Sequence, residues 1–219
     1  MQLPFRNRVE AGRLLAEALE PYGGRTDVLI LALPRGGLPV AFEVAQALAV
    51  PLDLMLVRKL GVPGQEELAM GAIASGGIKY LNQELVSSLR VSDSVIDRVV
   101  SREKKELERR EQAYRGQRPV PEVRHHCVVL IDDGLATGAT MRAAVLALRQ
   151  RQPGRIVIGV PVAPADTVEK LRAEADEVIC LATPEPFLAI GKWYRDFSQT
   201  SDEEVRDLLV RAWQQREQD

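Results

Sequence analysis

The sequence predicts an α/β fold, an open parallel sheet flanked by helices, and three observations carry that expectation. Short unbroken apolar runs alternate with stretches of helical periodicity, the rhythm of βαβ units. Two of these runs, residues 28–33 and 128–131, are rich in branched aliphatic side chains and lack polar alternation, which suits strands buried on both faces. Each of them ends in a turn of small residues, and the carboxyl edge of such a sheet is where ligands bind.

Taken in order, residues 8–19 read as an amphipathic helix with Val9, Leu14, Leu15, Ala18 and Leu19 on one side. The strand at 28–33, a glycine turn and a helix at 39–49 follow, then a second strand at 52–58. From 59 to 67 the periodicity is lost, and a mobile loop is expected. Residues 69–75 return as a strand, and Gly76-Gly77 makes a turn. Residues 93–114 form a long charged helix whose interleaved Arg, Lys and Glu supply i,i+4 pairs on a solvated face. A proline-containing connection at 116–124 leads into the strand at 128–131. A helix at 140–151, a strand at 156–162, a helix at 166–175 and a strand at 178–182 complete the alternation.

Past residue 183 the rhythm breaks. Pro184, Pro186 and Phe187 interrupt it, Trp193, Tyr194 and Phe197 cluster, and Ser201 with Glu204 fits a capping box that opens a last helix. One domain over 1–219 is expected, with a core at about 25–182 and a small subdomain from about 1–20 plus 183–219.

Composition narrows the function. A net charge of −2 provides no basic field for nucleic acid or an anionic membrane surface. No run reaches membrane-spanning or signal length, and Cys127 and Cys180 have no metal-ligand spacing, so a reduced cytoplasmic protein is expected. His125-His126-Cys127 looks like a metal cluster, but adjacent side chains of an extended segment point apart and cannot converge on one ion.

The most informative stretch is 128–140. Four apolar residues end in Asp132 and Asp133, and a loop of Gly134, Leu135, Ala136, Thr137, Gly138, Ala139 and Thr140 runs into a helix. Backbone N–H groups and the positive end of a helix dipole favour an anion, and Thr137 and Thr140 add hydroxyl donors. The two carboxylates suit sugar hydroxyls or a hydrated divalent cation. Together these groups describe a site for a phosphorylated sugar.

This stretch resembles the phosphoribosyl-pyrophosphate (PRPP) motif of the type I phosphoribosyltransferases: four apolar residues, two acids, then roughly Thr-Gly-Gly-Thr. Ala139 stands where a second glycine is common, and a helix-opening position does not require the positive φ that glycine allows. The turn at 34–39 resembles the family's pyrophosphate loop, and Lys59 a family position that approaches the pyrophosphate. Residues 60–67 correspond in order to the family's flexible loop, and the chain-end subdomain to its hood.

The resemblance implies a magnesium-dependent transfer of 5-phosphoribosyl from PRPP to a nitrogenous base or related acceptor, with release of pyrophosphate. It places Gly134, Leu135, Ala136, Thr137, Gly138, Ala139 and Thr140 on the 5-phosphate. Asp132 and Asp133 would be the catalytic pair, meeting the ribose hydroxyls and Mg²⁺, directly or through water. Arg35, Gly36, Gly37 and Lys59 would meet the pyrophosphate, and Trp193 or Tyr194 in the hood would stack on a planar acceptor. A homodimer is implied by resemblance alone.

The acceptor stays open: the turn at 34–37, the loop at 132–138 and the Trp193-Tyr194…Asp196-Phe197 tail together resemble a group of bacterial phosphoribosyltransferases without a settled substrate, and the hood does not clearly match the purine, pyrimidine or orotate enzymes. The alternative is a PRPP- or nucleotide-binding regulator of the same fold without turnover. Retention of both acids, Arg35 and Lys59 favours the enzyme. A receiver-type signalling domain is excluded, since its paired acids precede no Thr-Gly-Ala-Thr loop. Because the acids are placed at the sheet's solvent-facing edge, Asn at both positions is expected to abolish transfer and leave the fold intact.

Overall fold

Every residue of β1 (Val28–Ala32) is buried, and successive side chains enter different apolar layers. Val28, Ile30 and Ala32 join Val129 and Ile131 on one side, while Leu29 and Leu31 join Val128 and Leu130 on the other. A strand covered on both faces has no polar side, which is why these runs carry no alternation. The computed structural model describes residues 3–216, apart from the side chains of Glu67 and Arg216.

The remaining strands are β2 (Leu52–Leu54), β3 (Val57–Val62), β4 (Gln65–Ala74), β5 (Ile78–Leu81), β6 (Cys127–Ile131), β7 (Arg155–Val162) and β8 (Glu177–Ala182). The helices are α1 (Arg8–Ala18), α2 (Gly37–Leu48), α3 (Gln83–Ser88), α4 (Asp93–Arg115), α5 (Ala139–Arg149), α6 (Ala165–Arg172) and α7 (Asp202–Arg216). Five strands form one parallel sheet in the order β2-β1-β6-β7-β8, as the alternating pattern predicts. Strands β1 and β6 pair from Val28 opposite Cys127 through Ala32 opposite Ile131. Their two following turns therefore leave the sheet side by side at the same height.

Three differences from the sequence reading have physical causes. The apolar run 52–58 is two strands: β2 lies in the main sheet, and β3 begins a separate antiparallel sheet ordered β3-β4-β5. Apolar character continues across the switch at Met55 and Leu56, so nothing in the pattern marks it. The segment expected to be a mobile loop is the β3–β4 hairpin. Its register shifts twice between Leu60 and Val62, and such bulges destroy the alternation that announces a strand. Helix α1 buries Ala11, Gly12, Leu15 and Ala16, with Leu19 buried just past its end, while Val9 and Leu14 are only half-buried and Ala18 is exposed; the small residues turn inward because the helix lies close against α2. A Cβ on Gly12 would stand 2.7 Å from the Val40 carbonyl oxygen.

The small sheet packs between α4 and α5, and α7 packs against α2, α4 and β2. Ser201 caps α7 by accepting the Glu204 N–H at 3.1 Å. The two ends of the described chain meet beyond β7 and β8. Phe5 bridges to Tyr194, and Phe5, Ala11, Val162 and Tyr194 form a third apolar cluster with Phe187, Ile190, Trp193 and Phe197 against it. Among the described residues no helix is long and apolar enough to cross a membrane.

Candidate active site

The turns after β1 and β6 touch, and glycine makes the contact possible. A Cβ on Gly36 would stand 2.0 Å from Asp133 Oδ2, and one on Gly37 would stand 2.7 Å from the Ile131 carbonyl oxygen and 2.9 Å from Asp132 Cα. Gly36 has φ −62, so it is required for room and not for a left-handed backbone. The Leu33 N–H donates to Ile131 O at 2.8 Å, extending the sheet pairing one step into the turns. The Pro34–Arg35 peptide bond is cis.

Asp133 is not at a solvent-facing edge. It is 7% exposed, and Arg8 lies against it: Nε and Nη2 each approach Oδ2 at 2.8 Å. The Tyr194 hydroxyl donates to the Asp133 main-chain oxygen at 2.5 Å. Asp132 is half-buried, and its Oδ1 accepts the Asp133 N–H at 2.8 Å. Burial, followed by the adjacent negative charge of Asp133, pushes the Asp132 carboxyl well above the usual carboxylate range. Burial also raises Asp133, opposed by the charge and hydrogen bond of Arg8. The expectation that both acids are replaceable without cost to the fold is corrected accordingly for Asp133.

The loop 134–140 divides into an anchor and an opening. Gly134 fits where a Cβ would meet Ile190 Cγ2 at 2.7 Å. The Leu135 side chain is buried and its N–H donates to Val162 O at 2.9 Å, so Leu135 anchors the loop and has no main-chain donor to offer a phosphate. Ala136 O accepts from Thr167 Oγ1 at 2.9 Å. Gly138 carries φ +69, with Thr167 Cγ2 only 2.8 Å from its would-be Cβ. It is the N-cap of α5 and has no side chain to cap the first turn, which leaves those N–H groups for an anion. Thr137 Oγ1 makes a long 3.4 Å contact with the Ala139 N–H, and Thr137 and Thr140 are both exposed. Ala139 opens the helix without a positive φ.

Arg35 projects from the first turn, and its Nη1 lies 3.5 Å from Asp202 Oδ1. Asp202 also accepts from the Tyr114 hydroxyl at 2.7 Å, and that bond, with Arg35, Arg109 and Arg110 nearby, holds its carboxyl below the usual range. Lys59 stands in β3 opposite Ala72, in the sheet that does not carry the Asp pair. Its neighbour Arg58 pairs with Glu103 of α4 at 2.7 Å. On α4, Arg109 and Arg110 both bind Glu106, the solvated pairing the charge pattern predicts. Arg110, Arg58, Pro34 and Thr140 also share a small cavity beside the two turns.

Of the aromatic pair, Tyr194 has no free ring face. It is buried, with the rings of Phe5 at 5.5 Å and Phe197 at 5.1 Å, so it packs the end of the domain instead of presenting itself to an acceptor. Trp193 is half-buried with Phe187 at 6.3 Å. A groove beside the 134–140 loop is lined by Ala136, Thr137, Pro164, Asp166, Lys170, Pro184, Glu185 and Phe187. Sequence reasoning missed Arg8 altogether. Its only local signal is a place in the first turn after the Asn7 cap, and its partner lies 125 residues away.

A family model described as phosphoribosyl transferase domain matches residues 7–189. The protein Rv0571c of Mycobacterium tuberculosis H37Rv, provisionally named a phosphoribosyl transferase, is 46% identical over 208 residues, 95% of this chain and 47% of that protein. The chain thus spans about half the length of the curated relatives it matches. Among solved structures, TT1426 from Thermus thermophilus is 43% identical with a TM-score of 0.86, over 95% of this chain and 99% of that one. AQ2163 from Aquifex aeolicus shares the fold at a TM-score of 0.51 and 11% identity, over 93% of this chain and 86% of its own.

Proposed function

Because the chain belongs to the phosphoribosyl transferase domain family, we propose that it transfers 5-phosphoribosyl from PRPP to a nitrogenous acceptor and releases pyrophosphate. The observation that carries this reading is the contact between the two turns, which sets Gly36 and Gly37 against Asp133 and Asp132 just before the uncapped opening of α5. Groups suited to pyrophosphate, ribose and 5-phosphate then follow one another along one sheet edge.

In the reaction the bond from C1 to pyrophosphate breaks, a bond from C1 to the acceptor nitrogen forms, and that nitrogen gives up its proton to solvent. The α5 N–H groups of Gly138, Ala139 and Thr140, with the two threonine hydroxyls, hold the 5-phosphate. Asp132 and Asp133 orient the ribose hydroxyls and favour the positive charge that grows on the ring. Arg35 leaves Asp202 to meet the pyrophosphate, and Gly36, Gly37 and Lys59 complete that end. Fixed donors placed where charge develops require no reorganisation during the step. The groove between Thr137 and Phe187 receives the acceptor, with Trp193 behind Phe187.

Two adjacent carboxylates are a hard oxygen donor set whose mutual repulsion a divalent cation relieves, so the residues fit Mg²⁺. Among the described residues no three metal-binding side chains converge, and oxygens of the ligand would complete the shell. Magnesium, when bound, supplies charge neutralisation for the departing pyrophosphate. The reading places the protein in the cytoplasm, where Cys127 and Cys180 stay thiols, with a second copy of the chain as partner by family resemblance.

Calorimetric titration with PRPP and Mg²⁺, followed by an acceptor panel monitored for pyrophosphate, tests the reading. Binding with release on one acceptor is expected. Binding without release from any acceptor would favour the regulator, and no binding would overturn the donor site.

A further inference from the structure

We propose that Arg8 is a positioning residue for the ribose of the donor: it fixes the Asp133 carboxylate and ties both chain-end segments to the site. The inference rests on the donor-site reading above. Two N–H groups of Arg8, Nε and Nη2, converge on Oδ2 at 2.8 Å each, so this one carboxylate oxygen is pinned by two charge-assisted bonds. The third arm, Nη1, donates to Ser198 O at 2.7 Å, and the guanidinium lies over the Phe197 ring, 4.0 Å from its centre. The ion pair is shielded, with side-chain exposures of 12% for Arg8 and 10% for Asp133.

The same acid is held from a second direction. Tyr194, bridged to Phe5 three residues before Arg8, donates to the Asp133 main chain. Gly36 closes against the carboxylate from the pyrophosphate turn. Asp133 is therefore gripped by segments around 5–8 and 194–198, neither of which carries a residue of the PRPP motif. A planar fork that also stacks on an aromatic ring is specific to arginine, and a lysine at position 8 offers a single point charge.

The test is calorimetric titration of PRPP with Mg²⁺ into wild type, Arg8→Gln, Arg8→Lys, Asp133→Asn and the Arg8→Gln/Asp133→Asn double variant. Unfolding temperatures are recorded alongside, and the titrations are run well below them. Loss of a partner that orients a ligand-binding group typically costs about 10- to 100-fold. Arg8→Gln is expected to lose affinity in that range, Arg8→Lys less, and Arg8→Gln to add nothing once Asp133 is Asn. A merely structural Arg8 would lower the unfolding temperature in both backgrounds without this non-additivity.

Wild-type affinity in Arg8→Gln, or an equal further loss in the Asp133→Asn background, overturns the proposal while leaving the donor site standing. No binding by wild type overturns both. If Arg8→Gln does not fold, the same comparison is made with Arg8→Lys in the two backgrounds.

Discussion

The α-carbon of Gly36 lies so close to the carboxylate of Asp133 that a methyl group there would come within 2.0 Å of Oδ2. The backbone of Gly36 is right-handed, so alanine meets no conformational penalty and the effect is purely steric. Gly36→Ala must part the two turns or expel the carboxylate from its bond with Arg8. PRPP affinity should fall at least about tenfold, with a stability loss of about 1–3 kcal/mol typical of overpacking. Calorimetry and urea unfolding read the two effects separately.

Asp132 makes the folded protein hold a proton that the unfolded chain releases in the ordinary carboxylate range. Above about pH 4 the native state therefore binds more protons than the unfolded one, and stability falls as pH rises from there through the raised folded value. Asp132→Asn removes this dependence. Its gain over wild type should be absent near pH 4, grow through that window and then level off, with roughly 2–4 °C of unfolding temperature for each kcal/mol recovered. The same variant should lower pyrophosphate release by about a hundredfold or more, the scale of losing one charge-stabilising group.

The core strands and the Asp pair were legible because their physics is local. A strand covered on both faces must be apolar throughout, and a phosphate-binding helix opening needs small residues at fixed offsets. The β3–β5 sheet was legible only in part: the strand at 69–75 and the Gly76-Gly77 turn read through, whereas the bulges at Leu60 and Gly61 erase the period of two in the β3–β4 hairpin. Arg8 was invisible for a different reason. Its meaning comes from Asp133 and Ser198, and no spacing within the first twenty residues encodes either. Tyr194 was noticed for its ring, whereas its part in the site is a hydroxyl bonded to the main chain of Asp133.

Gly138 and Ala139 should respond oppositely to exchange. Gly138→Ala places a side chain at φ +69 and 2.8 Å from Thr167 Cγ2, costing about 1–2 kcal/mol for the left-handed backbone before the clash is counted. PRPP affinity should drop with it. Ala139→Gly, in ordinary helical backbone, should cost no more than about 1 kcal/mol and leave affinity unchanged. Paired titrations of the two variants decide whether Gly138 or its neighbour shapes the phosphate end.

Away from the site, Arg115 Nη2 meets Asp53 Oδ1 at 2.7 Å, and the same nitrogen donates to Leu54 O at 2.9 Å. The pair is buried, with side-chain exposures of 2% and 9%. Arg115→Ala strands the Asp53 charge within β2 and should cost about 3–5 kcal/mol, while Arg115→Ala with Asp53→Ala should recover part of the loss. Urea unfolding of the two variants checks this, and recovery in the double variant is the decisive part.

The bridge between Phe5 and Tyr194 bears on how the molecule comes into being during synthesis. Arg8 leaves the ribosome some 190 positions ahead of its anchors at Phe197 and Ser198. A nascent chain can complete β1, β6 and β7 and still have its Asp133 carboxylate unclamped. Contacts of such long separation form slowly and late, so an elongating polypeptide can own a nearly finished sheet with an unfinished pocket.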